Sequence, residues 1–501
     1  MRYLLIVLLL ASTASAQTPS FISDSLDSYI HQGMTDWNIP GLAIVIVKDG
    51  HIAFMKGYGT REVGKDEPVD TNTLFFIASN TKLFTGTAVA QLDEAGKLSL
   101  DDRVSKFFPG FRLYDTNATR MVDVKDMLSH HLGTKTFQGD FTFWNSNLSR
   151  EAIIAKIHLL KPSGKFRRDF GYCNSCFLTA GEIVVKASGG SWESYVQHHF
   201  LDPLGMTHTH TQTEGAEGYP DMAHPYTSNY GDLVALPFDH IDNLGPAGAL
   251  VSCVSDMSHW LQMQLDSGRY DGARVVSWKA IQQTRTAGTI IRSNRSPFGP
   301  AHFVLYGLGV FMTDYHGKQV YWHTGGAFGF VSNTCFVPED NLAICILTNN
   351  DDQDFFEALR YQILDAYMGT PYVNRSHQFL GPATAGKKEL LSDVKGWEAK
   401  VAKGLKPSLP LSAFTGAYTN PVYGKINITQ QGSGLVIHFE HHPGLRATLD
   451  YMGDDKFLMR FSNIAYGIFP APFTIGGGKV KNVTVKVADG LEYDPYVFVK
   501  D

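Results

Sequence analysis

Apolar residues along this chain change their spacing more than once, and the changes divide it into parts. Over residues 20–37 they recur at helical intervals (Phe21, Leu26, Tyr29, Ile30, Met34), which predicts an amphipathic helix. Gly41–Lys48 is a run rich in Val and Ile, Asp49-Gly50 is a hairpin signal, and residues 51–58 continue as a second strand. A loop rich in Asp, Thr and Asn then delivers residues 76–92. There Leu83, Phe84, Ala88, Val89 and Leu92 take up helical spacing, and Gly96 is a natural stop. Helical patterns with long loops continue to about Trp260, at 123–129, 151–160, 178–188, 191–200 and 256–265. The strand period returns at 306–312, 320–323, Phe330–Val337 and Leu342–Thr348, and 354–368 reads as a closing helix. Strands at both ends with helices between predict one discontinuous α/β layer with an antiparallel sheet and a helical insertion.

Beyond it, residues 381–406 form a polar, partly helical connector that ends in a proline breaker at 407–410. From Phe414 on, short alternating stretches (425–429, 435–439, 456–460, 479–487) are separated by Gly and Pro turns, which predicts a small all-β barrel or sandwich. The expected organisation is a leader at 1–16, a main domain at 17–375, a linker at 376–410 and an all-β domain at 411–501.

Composition narrows the function classes. The chain has 501 residues, enough for two or three domains, and 44% hydrophobic with 18% charged residues describes a packed protein. A net charge of −6 gives no electrostatic case for nucleic acid or an anionic membrane surface. Arg2, the apolar residues 4–11 and Ala14-Ser15-Ala16 read as a secretory signal cleaved after Ala16, so the mature chain is expected to start at Gln17, secreted or periplasmic. That apolar run is too short to span a bilayer, and no later stretch is long enough. Five cysteines leave at least one unpaired. Cys335 and Cys345 flank an expected hairpin turn at 338–341 and are placed to face each other; buried thiols are the simpler reading for all five. Cys173-x-x-Cys176 has no second pair to make a zinc site, and His198-His199 and His441-His442 lack carboxylate or cysteine company at metal spacing. No metal and no cofactor is expected.

Three stretches carry chemistry. Ser79-Asn80-Thr81-Lys82 places a hydroxyl and an amine on one helical face. A serine needs an adjacent base to act as a nucleophile, and a lysine can be that base if burial or neighbouring cations lower its pKa. Alone the tetrad reads more simply as a helix cap and a solvated lysine. Tyr172-Cys173-Asn174 offers a phenol and an amide that a non-helical turn can aim into one cleft, the phenol as base or proton relay. Trp322-His323-Thr324-Gly325-Gly326 ends an expected strand, where glycines let a substrate lie close and a Gly326 N–H can join that of Ser79 in an oxyanion hole.

In this order, S-x-x-K, Y-x-N and H-T-G resemble the serine β-lactamase and penicillin-binding-protein superfamily, in its class C β-lactamase, D,D-peptidase and esterase branch. Ile39-Pro40-Gly41, Ser129-His130-His131, Pro203-Leu204-Gly205-Met206 and Gly245-Pro246-Ala247-Gly248 match its context. The resemblance implies an acylated nucleophile at Ser79, with Lys82 as its partner and Tyr172 as proton carrier. Asn174 is then expected to position Lys82 and substrate, with His323, Thr324 and Gly325 on the substrate and Ser79 and Gly326 forming the oxyanion hole. The implied substrate is a small molecule, peptide, amide or ester, with cell-wall peptide among the candidates. His323 stands where the family carries lysine, which points away from substrates held by a carboxylate. A slowly acylated binding or sensor protein on the same fold is the alternative. The C-terminal part resembles a lipocalin-like module appended to such hydrolases.

Overall fold

The run GLAIVIVK has no polar alternation to spare for a solvated face. In the computed structural model, which describes residues 18–296 and 299–501, it is covered on both sides. The leader at 1–16 and the start at Gln17 lie outside the described residues. Helix α1 (Leu26–Asp36) leads into strand β1 (Gly41–Lys48). Ala43, Val45 and Val47 enter one apolar core and Leu42, Ile44 and Ile46 another, as the two-residue period of a strand requires. β1 pairs antiparallel with β2 (His51–Gly59) across Asp49 and Gly50, both at positive φ.

The chain then leaves the sheet for the insertion, whose main helices are α2 (Thr81–Glu94), α3 (Asn174–Ser188) and α4 (Val254–Leu265). It returns through β3 (Thr289–Arg292), β4 (Val304–Tyr306), β5 (Phe311–Tyr315), β6 (Lys318–Ala327), β7 (Phe330–Val337) and β8 (Leu342–Thr348). The eight strands lie in the order β2-β1-β8-β7-β6-β5-β4-β3. Helix α5 (Phe355–Tyr367) packs with α1 on the face opposite the insertion.

Two expectations need correction. The strand predicted at 306–312 is two strands, β4 and β5, joined by a turn pressed against α2: a Cβ on Gly309 would lie 2.3 Å from the Lys82 carbonyl oxygen, and Gly309 has φ +85°. Cys335 and Cys345 do not face each other. Cys335 pairs in register with Ile344 and Cys345 with Thr334, so their side chains enter opposite cores, and all five cysteines are free thiols.

The residues expected as a linker hold a 27-residue helix, α6 (Arg375–Val401). Near its start Trp37 Nε1 donates to Ser376 Oγ (2.9 Å), and near its end Arg460 pairs with Glu398 (3.2 Å) while Val394 packs among Met452, Leu458 and Ile468. Helix α6 thus touches both bodies of the molecule. The C-terminal strands are β9 (Gly416–Asn420), β10 (Gly424–Gln431), β11 (Gly434–Phe439), β12 (His442–Gly453), β13 (Lys456–Phe461), β14 (Ile468–Gly476), β15 (Lys479–Val485) and β16 (Tyr496–Lys500). They close into an eight-stranded barrel by pairing β9 with β16. Its core is continuous with that of the main body. No helix among the described residues is long and apolar enough to cross a membrane.

Candidate active site

Ala78 carries a positive φ (+46°), uncommon for a residue with a Cβ, and this kink turns the chain from a short strand into the helical turn Ala78–Asn80 that opens α2. Ser79 therefore sits at a helix entrance, with Lys82 on the same face. Lys82 Nζ is 2.9 Å from Ser79 Oγ and donates to the Ala247 carbonyl at 2.6 Å. Its side chain is fully buried. Burial pulls its pKa down to about 7 against the opposing pull of Asp140 and Cys173, so much of it is a neutral amine near neutrality. This is the state in which it can take a proton from Ser79.

Tyr172 supplies one wall of the lysine's chamber, its ring centroid 4.8 Å from Lys82 Nζ. Its hydroxyl is buried without a well-formed hydrogen bond, and burial drives its pKa upward, only partly opposed by the nearby Ser79 hydroxyl. The phenol stays protonated. Of the two candidate bases in the sequence, Lys82 is the one whose burial favours the neutral, proton-accepting form. His130 backs the phenol, with ring centroids 4.1 Å apart, and its Nδ1 accepts from the Cys173 N–H at 3.0 Å. His130 entered the sequence reading only as part of a matching segment; its φ of +55° turns the ring towards Tyr172.

Asn174 opens α3, but its amide does not hold Lys82. Its Nδ2 donates to Asp140 Oδ2 at 2.6 Å, and Lys82 is held by Ser79 and Ala247 instead. Asp140 is the site residue that sequence reasoning missed. It is 2% exposed, and burial pushes its pKa well up despite the Asn174 bond. In the sequence only the preceding glycine hints at a constrained loop; Phe137 and Gly139 stand at φ +62° and +91°. Next to these groups the Cys173 and Cys176 sulfurs lie 2.7 Å apart, both buried.

The third stretch lies on β6. Both ring nitrogens of His323 are engaged within the protein: Nδ1 lies 2.6 Å from the Thr324 carbonyl, and Nε2 lies 3.0 Å from the Tyr306 hydroxyl. Nδ1 must donate to the carbonyl, and in the neutral ring Nε2 accepts from the Tyr306 hydroxyl. Burial and the charge of Lys82 lower its pKa to about 3. His323 therefore orients Tyr306. Thr324 and Gly326 line the cleft; Gly325 does not, contrary to the substrate-binding role expected of it. A Cβ at Gly325 would lie 2.0 Å from the Ile77 carbonyl oxygen, so this glycine lets β6 approach the turn before Ser79. We expect the His323 ring to give the NMR signature of one neutral tautomer from pH 5 to 8. A titration in that range would contradict the arrangement.

These groups open into one cleft of about 440 Å³ with Phe137, Trp144, Phe311 and Phe328 on its walls and Ala465, Ala488 and Gly490 reaching it from the barrel. Among the described residues its lining holds the acids Asp140 and Asp351 and no Lys or Arg. Away from the cleft, His208, Cys253 and Asp256 bring three possible metal ligands within 4.8 Å of one another, but Asp256 Oδ2 already accepts from His208 N–H and Thr209 Oγ1.

A helix-flanked antiparallel sheet that buries a Ser-x-x-Lys pair beneath a Tyr-x-Asn turn defines the β-lactamase and penicillin-binding-protein class of fold. The chain belongs to the Beta-lactamase family, whose profile matches residues 26–368, and a domain of unknown function (DUF3471) matches residues 400–500. Among its relatives is an unguisins hydrolase of Aspergillus violaceofuscus, 22% identical over 93% of this chain and 87% of that protein. Protein Flp of Staphylococcus aureus is 27% identical over 65% of this chain and 62% of its own length. An octameric penicillin-binding protein homologue from Pyrococcus abyssi shares the fold with a TM-score of 0.59 at 22% identity, covering 94% of this chain and 99% of that one.

Proposed function

We propose that this protein is an exported serine hydrolase that acts through an acyl-Ser79 intermediate on uncharged, largely apolar amides, peptides or esters. The observation that carries the reading is the buried Lys82 amine 2.9 Å from Ser79 Oγ. Family membership and the relative named a hydrolase support it. In the acylation step Ser79 Oγ bonds to the substrate carbonyl carbon and its proton passes to Lys82 Nζ. The backbone N–H groups of Ser79 and Gly326 receive the oxyanion. When the bond to the leaving group breaks, Tyr172 passes its hydroxyl proton to that group and regains one from Lys82. Water then repeats the sequence on the acyl-enzyme and frees the acid.

The substrate class follows from the lining. A carboxylate would enter a cleft with two acids, no Lys or Arg and a third-motif histidine that is neutral and engaged elsewhere. Fluorophosphonate labelling with peptide mapping should place one adduct on Ser79, and a neutral ester should be turned over in preference to a carboxylate-bearing β-lactam. An adduct elsewhere overturns the nucleophile, and a preference for the β-lactam overturns the substrate class.

A further inference from the structure

The barrel does more than adjoin the cleft. The loop carrying Asp140 runs to one of its ends, where the Phe141 ring is 1% exposed, stacked on His442 (centroids 4.2 Å apart) and near-parallel to Tyr496 (5.7 Å). Beside it lies a buried carboxylate, Glu492, in the segment between β15 and β16. Its Oε1 accepts from the Gly139 N–H (2.9 Å) and the Tyr423 hydroxyl (2.6 Å), and its Oε2 from the Phe141 N–H (3.4 Å) and the Tyr496 hydroxyl (3.0 Å). The two backbone donors flank Asp140, whose own carboxylate turns the other way and takes the Asn174 amide. Four donors on one carboxylate, two from the barrel and two from the main body, make an acceptor-only junction. A carboxylate satisfies it in full, and an amide cannot.

We propose that Glu492 is a positioning residue for the reaction at Ser79: it clamps the 139–141 turn from the barrel, and through Asp140 it fixes Asn174 and the acid beside Lys82, so that the barrel completes the active site. Acylation at Ser79 does not by itself require a buried acid at this point, and a docking contact alone would be served by Phe141. The turn is tied at its far side as well, where Asn145 Nδ2 donates to Asp239 (2.7 Å) and lies 3.2 Å from the Tyr466 hydroxyl. Release of Glu492 is therefore expected to shift Asp140 without unfolding the loop.

The proposal rests on the serine-hydrolase reading, and its test separates the two. Full-length Glu492→Gln and Glu492→Leu are compared with wild type by hydrogen exchange of the 139–141 amides and by kcat and KM on p-nitrophenyl butyrate. Glu492→Leu should speed exchange there and lower kcat about tenfold with little change in KM, and Glu492→Gln, which keeps one acceptor oxygen, should fall between. With Asp140→Ala already present, Glu492→Leu should cost nothing further, because both act through one carboxylate. Phe457→Leu thins the barrel core around Phe414 and Phe473, away from the loop, and should lower the melting temperature but leave kcat alone. Unchanged exchange or unchanged kcat in the Glu492 variants overturns the proposal, as do losses that multiply in the double variant or an equal kcat loss in Phe457→Leu. If Glu492→Leu does not fold, Glu492→Gln decides. Wild type that never acylates at Ser79 fails the hydrolase reading, and the exchange measurement still judges the clamp.

Discussion

Replacing Lys82 by methionine is expected to lower the acylation rate of Ser79 by about 10³-fold, the usual scale of a lost general base, while making the protein more stable at neutral pH. The rate falls because the amine beside Ser79 Oγ is lost and Tyr172, the other group beside it, is held protonated by burial. Stability rises because a full-length ammonium is buried with one carbonyl and one hydroxyl for partners, and methionine fills similar space without a charge. The pH dependence follows in sign. Lys82 has a pKa of about 7 in the folded protein, and an unfolded lysine titrates near ~10.4. Between those values the unfolded chain binds more protons, so wild-type stability rises with pH across that window. The advantage of Lys82→Met is thus largest below pH 7 and vanishes above about pH 10.4. Turnover in wild type should rise with pH through about 7 as the amine loses its proton. Thermal melts of both proteins across pH, with the wild-type rate profile, check this. A variant less stable at every pH would show that Lys82 is not a strained buried base.

Replacing Phe141 by alanine is expected to destabilise the docked state by about 3–5 kcal/mol, the range for a fully buried phenylalanine. Few residues contact so much across the two bodies. Its ring meets Tyr423, Phe439, His442, Tyr466 and Tyr496, all from the barrel, while its backbone belongs to the main domain. The cavity left behind would lie at the barrel mouth beside Glu492. Calorimetry should show one cooperative transition in wild type and an earlier barrel transition in Phe141→Ala. A melting temperature unchanged by the substitution would mean that helix α6 and the Glu492 contacts hold the barrel in place without the Phe141 ring.

Local pattern carried much of this structure. Gly41–Lys48 and Leu342–Thr348 have the observed bounds because near-continuous β-branched and apolar runs suit a sheet interior with both faces covered. Ser79 and Lys82 were legible because an i, i+3 pair at a helix entrance has its geometry written in its spacing. Tyr172, His323, Thr324 and Gly326 were legible as motifs and do reach one cleft. Their hydrogen bonds were not, because a side chain's partner depends on which distant element arrives beside it.

Tertiary structure alone decided the rest. It gave Asn174 to Asp140 rather than Lys82, gave His323 to Tyr306, and made Gly325 a packing residue. Asp140 had no periodicity or motif to mark it, since it lies in an irregular loop whose shape is set by contacts with residues more than three hundred positions away. Residues 375–401, within the expected linker, form one helix on which both bodies pack, and Phe141 and Glu492 join the two cores. What the amino-acid sequence determined by itself was therefore most of the elements and the juxtaposition of Ser79 with Lys82, which are short-range consequences of spacing and side-chain volume. Protonation state, hydrogen-bond partners and the union of the two bodies depend on burial and on long-range contacts, and those exist only once the chain has folded.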